Sequence, residues 1–108
     1  MPMSNHLPHY LPAWQGVDQI AQGLDVDALR ATARELVDLV LTEDDVYLDA
    51  LPDTVETSLV TPLGILASVL EGPSTFVELV VAARLVRKSA PIAQCPPELV
   101  ALIRQLPE

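Results

Sequence analysis

The sequence predicts an all-α protein, a compact bundle of five or six short helices that follows a proline-containing, extended N-terminal arm. Apolar residues recur at spacings of three and four along most of the chain. Capping motifs and Pro or Gly breaks separate these segments, and no segment alternates as a strand would for more than a few residues. Half of the 108 residues are hydrophobic, which is enough to build one core without disulfides.

The N-terminal region divides into an arm and the beginning of the helical domain. Residues 1–11 contain Pro2 and Pro8 and show no periodicity, which predicts a flexible arm. Pro12 suits the first turn of a helix, and Gly23 suits its end. We therefore predict a single helical domain over residues 12–108.

Two helices are predicted in the next segment. Asp25 is a suitable N-cap for the clearest amphipathic helix of the chain. The segment from Thr42 to Asp45 resembles a capping box, and it predicts a short helix that ends before Pro52. The apolar face of the first of these helices comprises Val26, Leu29, Ala33, Leu36, Val37 and Val40.

The most hydrophobic segment begins at Asp53, where Glu56 repeats the capping-box spacing. Pro62 lacks a backbone donor, so we expect it to kink or divide this helix, which Gly72 and Pro73 then end. Its apolar stripe consists of Val55, Leu59, Leu63, Leu66 and Leu70.

Thr75 and Glu78 form a further capping box, which predicts a helix over residues 76–88. Its last turns carry Arg84, Arg87 and Lys88, where positive charge complements the helix dipole. Contact with a carboxylate-rich partner or a phosphate is the alternative role for these three residues. Residues 89–91 break the helix, and residues 96–97 begin a final short helix that carries Leu99, Leu102, Ile103 and Leu106.

The charge distribution excludes several classes of function. The formal net charge is −9, and ten acidic residues but no Lys or Arg lie between Glu35 and Ala83. Direct nucleic-acid binding needs the opposite sign, so we expect none. The charge-free stretch 57–70 is shorter than the roughly 18–20 apolar residues of a membrane span. A single cysteine, Cys95, favours a reducing compartment and thus the cytoplasm.

No motif for catalysis, cofactor binding or metal binding is found. His6 and His9 are too few for a metal site, and Cys95 has no histidine near it in sequence. The acidic run Glu43, Asp44, Asp45, Asp49 and Asp53 lacks the pattern of a calcium loop. We therefore predict a non-enzymatic protein with no catalytic residues, no cofactor and no metal.

The helix predicted at 76–88 is apolar on most of its circumference. Val77, Val81 and Leu85 form a second stripe beside its main apolar face, and Ile65 and Val69 make a similar pair in the preceding helix. Either the other helices cover these residues, or they contact a partner. A homodimer is the simplest such partner. Trp14 is a second possible contact residue, because aromatic residues are enriched at binding centres.

These observations favour a small regulator that binds another protein through an apolar helix surface, such as an inhibitor or anti-activator of a transcription factor or an enzyme. Two alternatives remain. One is an acidic decoy that imitates nucleic-acid phosphates with the acidic run, and the other is a structural or assembly subunit. An enzyme would require a deep pocket that contains several titratable groups.

Overall fold

The computed structural model describes residue 16 and residues 23–108, and that part of the chain is all-α as predicted. The five α-helices are α1 (Val26–Val40), α2 (Val46–Asp49), α3 (Asp53–Glu71), α4 (Phe76–Ser89) and α5 (Pro97–Ile103). A 3-10 turn, Ile92–Gln94, joins α4 to α5. The arm at 1–11, the helix predicted from Pro12 and the candidate contact residue Trp14 lie outside the described residues.

The helices pack around one aliphatic core. α3 and α4 form the most extensive pair, α1 packs on both of them, and α2 and α5 pack on α1. The Cα radius of gyration, 13.2 Å, is close to the roughly 13 Å expected for a compact chain of this length. The largest fully buried side chains include Leu36, Leu59, Leu63, Leu66, Leu79, Leu99 and Ile103.

Two of the predicted caps form. The Asp25 side chain accepts a hydrogen bond from the Ala28 N–H at 3.1 Å and so begins α1. Thr75 and Glu78 form a complete capping box at the start of α4, in which each side chain accepts from the other residue's backbone N–H. Each bond satisfies a donor that the first helical turn leaves without a partner.

The other two predicted capping boxes, at residues 42–45 and 53–56, do not form, so those predictions are wrong. Asp45 lies at the N-cap of α2 with a φ of 54° and makes no side-chain cap. Instead, the Asp44 carboxylate accepts from the Thr42 hydroxyl at 2.9 Å and from the Val46 N–H at 3.3 Å. α3 begins at Asp53 itself, because Pro52 occupies its N-cap and supplies no side-chain acceptor.

Pro62 does not divide α3, which runs unbroken from Asp53 to Glu71. Proline removes one helical hydrogen bond at this point. However, Leu59 before it and Leu63 and Leu66 after it are completely buried. Dividing the helix would remove one group or the other from the core, so packing keeps the helix continuous.

Candidate functional site

The helix stripe predicted as a contact surface lies mostly inside the chain. The side chains of Val81 and Leu85 on α4 are only 1% and 8% exposed, whereas Val77 is half-buried. Val81 belongs to the hydrophobic core, and Val77 packs against it. The placement of Val81 and Leu85 on a partner-binding surface is therefore corrected: the chain itself covers them.

The predicted contact pair on α3, Ile65 and Val69, also consists of one buried and one half-buried residue. Val69 is 1% exposed and belongs to the core, whereas Ile65 is half-buried against it. The alternative in which these stripes are covered internally thus describes Val69, Val81 and Leu85. A contact between a partner and the half-buried Val77 or Ile65 stays a prediction.

The groove between α1 and α5 is better suited to contact a partner than these covered stripes. This α1–α5 groove consists of two adjoining depressions that share Gln105. The α1 side supplies residues from one face along the whole helix, and the α5 side supplies residues from the helix and the turn after it. The lining comprises Leu24, Asp25, Ala28, Leu29, Thr32, Glu35 and Leu39 on the first side and Glu98, Ala101, Leu102 and Gln105 on the second.

The floor of the α1–α5 groove is apolar. Leu29 and Leu102 are buried beneath it, and Leu24 and Leu39 are half-buried and pack against the core. Small alanine side chains form the exposed parts of the floor, at Ala28 and Ala101. A partner side chain could therefore contact the apolar floor without displacing a bulky group.

One hydrogen bond crosses the α1–α5 groove where its two depressions meet, and a second joins its α5 side to α2. The Thr32 hydroxyl on α1 donates to the Gln105 amide oxygen at 3.3 Å. The Tyr47 hydroxyl on α2 donates to Glu98 Oε1 on α5 at 2.9 Å. Burial, and next the hydrogen bond from Tyr47 to the Glu98 carboxylate, raise the pKa of Tyr47 to about 12.

The acidic run forms a separate exposed surface around α2. Its five carboxylates, Glu43, Asp44, Asp45, Asp49 and Asp53, are all exposed, and Val46 among them is 65% exposed. The hydrogen bonds from Thr42 and Val46 lower the pKa of Asp44, so that carboxylate stays charged. Among residues 23–108 and residue 16, no group of three or more His, Cys, Asp or Glu side chains is arranged to hold a metal ion.

Two of the three basic residues of α4 hold the C-terminal segment. Arg84 is 5% exposed, and its Nε donates to the main-chain oxygen of Glu108 at 3.0 Å. Arg87 Nη1 donates to the carbonyl oxygens of Arg104 and Leu106, each at 2.7 Å. Lys88 is exposed. Arg84 and Arg87 therefore have a structural role, but it is the attachment of the C-terminal segment, whereas the predicted complement to the helix dipole stays a prediction.

Cys95 lies in an environment that does not activate a thiol. It is half-buried, and its Sγ lies 3.4 Å from the Pro91 carbonyl oxygen. Burial raises the pKa of Cys95, whereas a nucleophilic cysteine needs a lowered pKa. His6 and His9 lie outside the described residues.

The α1–α5 groove is not among the features predicted from the sequence. One signal was available: Leu39 lies off the apolar face of α1, among charged residues, and is half-buried in the structure. The pairing of α1 with α5 could not be read from the sequence, because the two helices are far apart along the chain.

Comparison of the chain with known protein families, with curated proteins and with solved structures gave no match. Over the residues that the structure describes, no helix combines the length and the hydropathy needed to cross a bilayer.

Proposed function

We propose that this chain is a small protein-binding regulator, such as an inhibitor or anti-activator of a transcription factor or an enzyme, and that it receives a helix of its target in the α1–α5 groove. The observation that carries the proposal is the apolar floor of that groove, which follows α1 along its length. The half-buried leucines and exposed alanines of the floor would lose contact with water when a partner binds.

The length of the α1–α5 groove sets the length of the helix that it would receive. Asp25, the N-cap of α1, and Leu39 in its last turn lie towards the two ends of the groove. At 1.5 Å per residue these positions lie about 21 Å apart, which corresponds to about four helical turns. Recognition of an amphipathic helix in an apolar groove is a common mode of binding between a small domain and its target.

The acidic decoy is a second candidate function, supported by a different surface. The five exposed carboxylates around α2 could occupy the basic surface of a nucleic-acid-binding protein. The two functions differ in where the partner touches the chain, so contact mapping separates them. In either case we propose a cytoplasmic location, since the one cysteine cannot form a disulfide within the chain.

Site-specific photo-crosslinking in the native host tests the proposal. A photoreactive residue is placed at Ala28 or Ala101 in the groove, at Asp49 in the acidic run, and at the exposed Ala93 as the matched control. We expect one protein to crosslink from both groove positions but not from Ala93. Crosslinks from Asp49 to a nucleic-acid-binding protein, without groove crosslinks, would instead establish the decoy. Equal products from all four positions would contradict both functions.

A substitution on the groove floor provides a second test of the proposal. Ala101→Arg places a long cationic side chain on the apolar floor, whereas Ala93→Arg adds the same charge outside the groove. We expect the first variant alone to lose the crosslinked partner. Both sites are exposed, so circular dichroism should show that both variants are folded.

A further inference from the structure

The charges around the α1–α5 groove restrict what can bind in it. The groove is lined by the exposed carboxylates of Asp25, Glu35 and Glu98. No Lys or Arg is found among its described lining residues. An anionic ligand would be repelled along the whole groove, whereas a ligand with cationic side chains beside an apolar face would match both its rim and its floor.

Ligands from this protein itself do not supply that charge. Residues 1–22 contain one charged side chain, Asp18, and no Lys or Arg. A second copy of the chain carries a net charge of −9 and would approach against electrostatic repulsion. The complementary ligand is therefore a different protein.

We infer that the α1–α5 groove binds a cationic amphipathic helix of the partner protein, an inference that rests on the proposed function. Apolar side chains of that helix at spacings of three and four contact Ala28, Leu39 and Ala101. Lys or Arg side chains on its flanks pair with Asp25 and Glu35 and with Glu98, whose Oε1 already accepts from Tyr47 and whose Oε2 remains a second acceptor.

The first test uses synthetic peptides as probes of the full-length chain. One peptide has 14 residues with Leu on one helical face and Lys on the other, a length set by about four turns. A second has the same composition in shuffled order, and a third has Glu in place of Lys. Amide chemical shifts of the 15N-labelled chain report the binding site and the affinity. We expect the first peptide to shift amides along α1 and α5 and to bind at least tenfold more tightly than the other two.

Two variants with matched charge separate specific pairing from general attraction. The groove variant is Asp25→Asn/Glu35→Gln/Glu98→Gln, and the control is Glu43→Gln/Asp45→Asn/Asp49→Asn. Each removes three exposed carboxylates, and Asn at position 25 keeps a side-chain acceptor for the α1 cap. Each exposed ion pair changes affinity by a few-fold at most, so we expect the groove variant to bind the amphipathic peptide about tenfold more weakly. The control variant should change the affinity less than twofold.

Several results would overturn the inference. These are equal weakening in both variants, equal binding of the shuffled peptide, and chemical-shift changes confined to the acidic run. Groove shifts that depend on the concentration of the chain alone would indicate a second copy, and crosslinks from Ala101 to residues 1–22 would indicate that the chain itself occupies the groove.

The failure of this inference is distinct from the failure of the proposed function. If the groove positions crosslink to a partner through an anionic or non-helical segment, the regulator function stands and the cationic helix is excluded. If they crosslink to no protein in the host, the function itself is contradicted, whatever the peptides do.

Discussion

Arg87 Nη1 lies 2.7 Å from the carbonyl oxygen of Leu106 and donates a hydrogen bond to it across the interface between α4 and the C-terminal turn. The same nitrogen donates to the Arg104 carbonyl oxygen at 2.7 Å, beyond the end of α5. The Arg87 Nη2 atom is 3.8 Å from the Glu108 carboxylate, whose side chain is 87% exposed. One half-buried guanidinium therefore fixes the turn that follows α5, chiefly through backbone acceptors.

Replacing Arg87 by Met should destabilise the fold. Met preserves much of the aliphatic length but supplies no donor, so the Arg104 and Leu106 carbonyl oxygens lose this partner. We expect the free energy of unfolding to fall by about 2 kcal/mol, the usual cost of losing hydrogen bonds from a charged group. Urea denaturation followed by circular dichroism measures this change.

Lys88→Met is the matched control for this substitution. Lys88 is the next residue, it is exposed, and its replacement removes the same formal charge. We expect a change within about 0.5 kcal/mol, as is usual for surface positions. Equal unfolding midpoints for the two variants would show that the Arg87 hydrogen bonds contribute nothing measurable.

The capping box of α4 should contribute measurably to stability. The Thr75 hydroxyl accepts from the Glu78 N–H at 3.2 Å, so Thr75→Ala leaves that first-turn donor without its acceptor. We expect a loss of about 1 kcal/mol in the free energy of unfolding. Thr61→Ala, at an exposed position within α3, should be neutral or slightly stabilising because alanine is the better helix former. If thermal denaturation showed the same effect at both positions, the cap would have no special role.

How much of the fold the sequence predicts depends on whether the signal is local. The bounds of α1 and α4 follow from nearby residues, since Asp25 and Thr75 are caps that act within one turn. The capping-box spacing at residues 42–45 and 53–56 was equally clear but misleading. Asp44 is engaged by Thr42 and Val46, and Pro52 occupies the N-cap of α3. Spacing alone does not specify the backbone dihedral angles that a cap requires.

The candidate site depends on contacts that are distant in sequence. Composition gave the acidic character of the surface, but it could not decide which apolar residues the core would cover. Val81 and Val69 are covered, and Val77 and Ile65 are covered only in part. The α1–α5 groove exists because α5 packs on α1, a tertiary pairing for which neither helix carries a local signal.

Aspartate substitutions should distinguish core from surface valines. Val81 is 1% exposed, so Val81→Asp would place an unpaired charge in the core. We expect this substitution to lower the free energy of unfolding by several kcal/mol. Val60 on α3 is 40% exposed, and Val60→Asp should cost about 1 kcal/mol or less. Far-ultraviolet circular dichroism and thermal denaturation compare the two. A folded Val81→Asp variant with the melting temperature of the parent would mean that Val81 is not in the core.

Gly64→Ala should stabilise α3. Gly64 lies within this helix, and a Cβ placed on it meets nothing within 4 Å. Alanine in a helix interior is favoured over glycine by about 1 kcal/mol, so the free energy of unfolding should rise by that order. At Gly72 the added Cβ would lie 3.2 Å from the Ser68 carbonyl oxygen, so Gly72→Ala should give no such gain. A lower denaturation midpoint for Gly64→Ala would contradict this assignment.

The Tyr47 phenol should impose an alkaline limit on stability. Its pKa rises from 10.0 to about 12 in the folded chain, so the folded chain retains a proton that the unfolded chain releases between those values. The unfolded state binds fewer protons in this window. The stabilisation from Tyr47 is therefore complete below pH 10 and is lost as the pH rises towards about 12.

Tyrosinate absorbance during an alkaline titration tests this assignment. The difference between the parent chain and Tyr47→Phe isolates Tyr47 from Tyr10, and circular dichroism at each pH confirms that the chain is folded. We expect a midpoint near 12. Glu98→Gln should lower the Tyr47 pKa without returning it to 10.0, because burial is a larger cause of the shift than the Glu98 carboxylate. Glu71→Gln, at an exposed position at the end of α3, should leave the Tyr47 pKa unchanged. A Tyr47 midpoint near 10.0 in the folded parent would mean that neither the burial of Tyr47 nor its contact with Glu98 persists in solution.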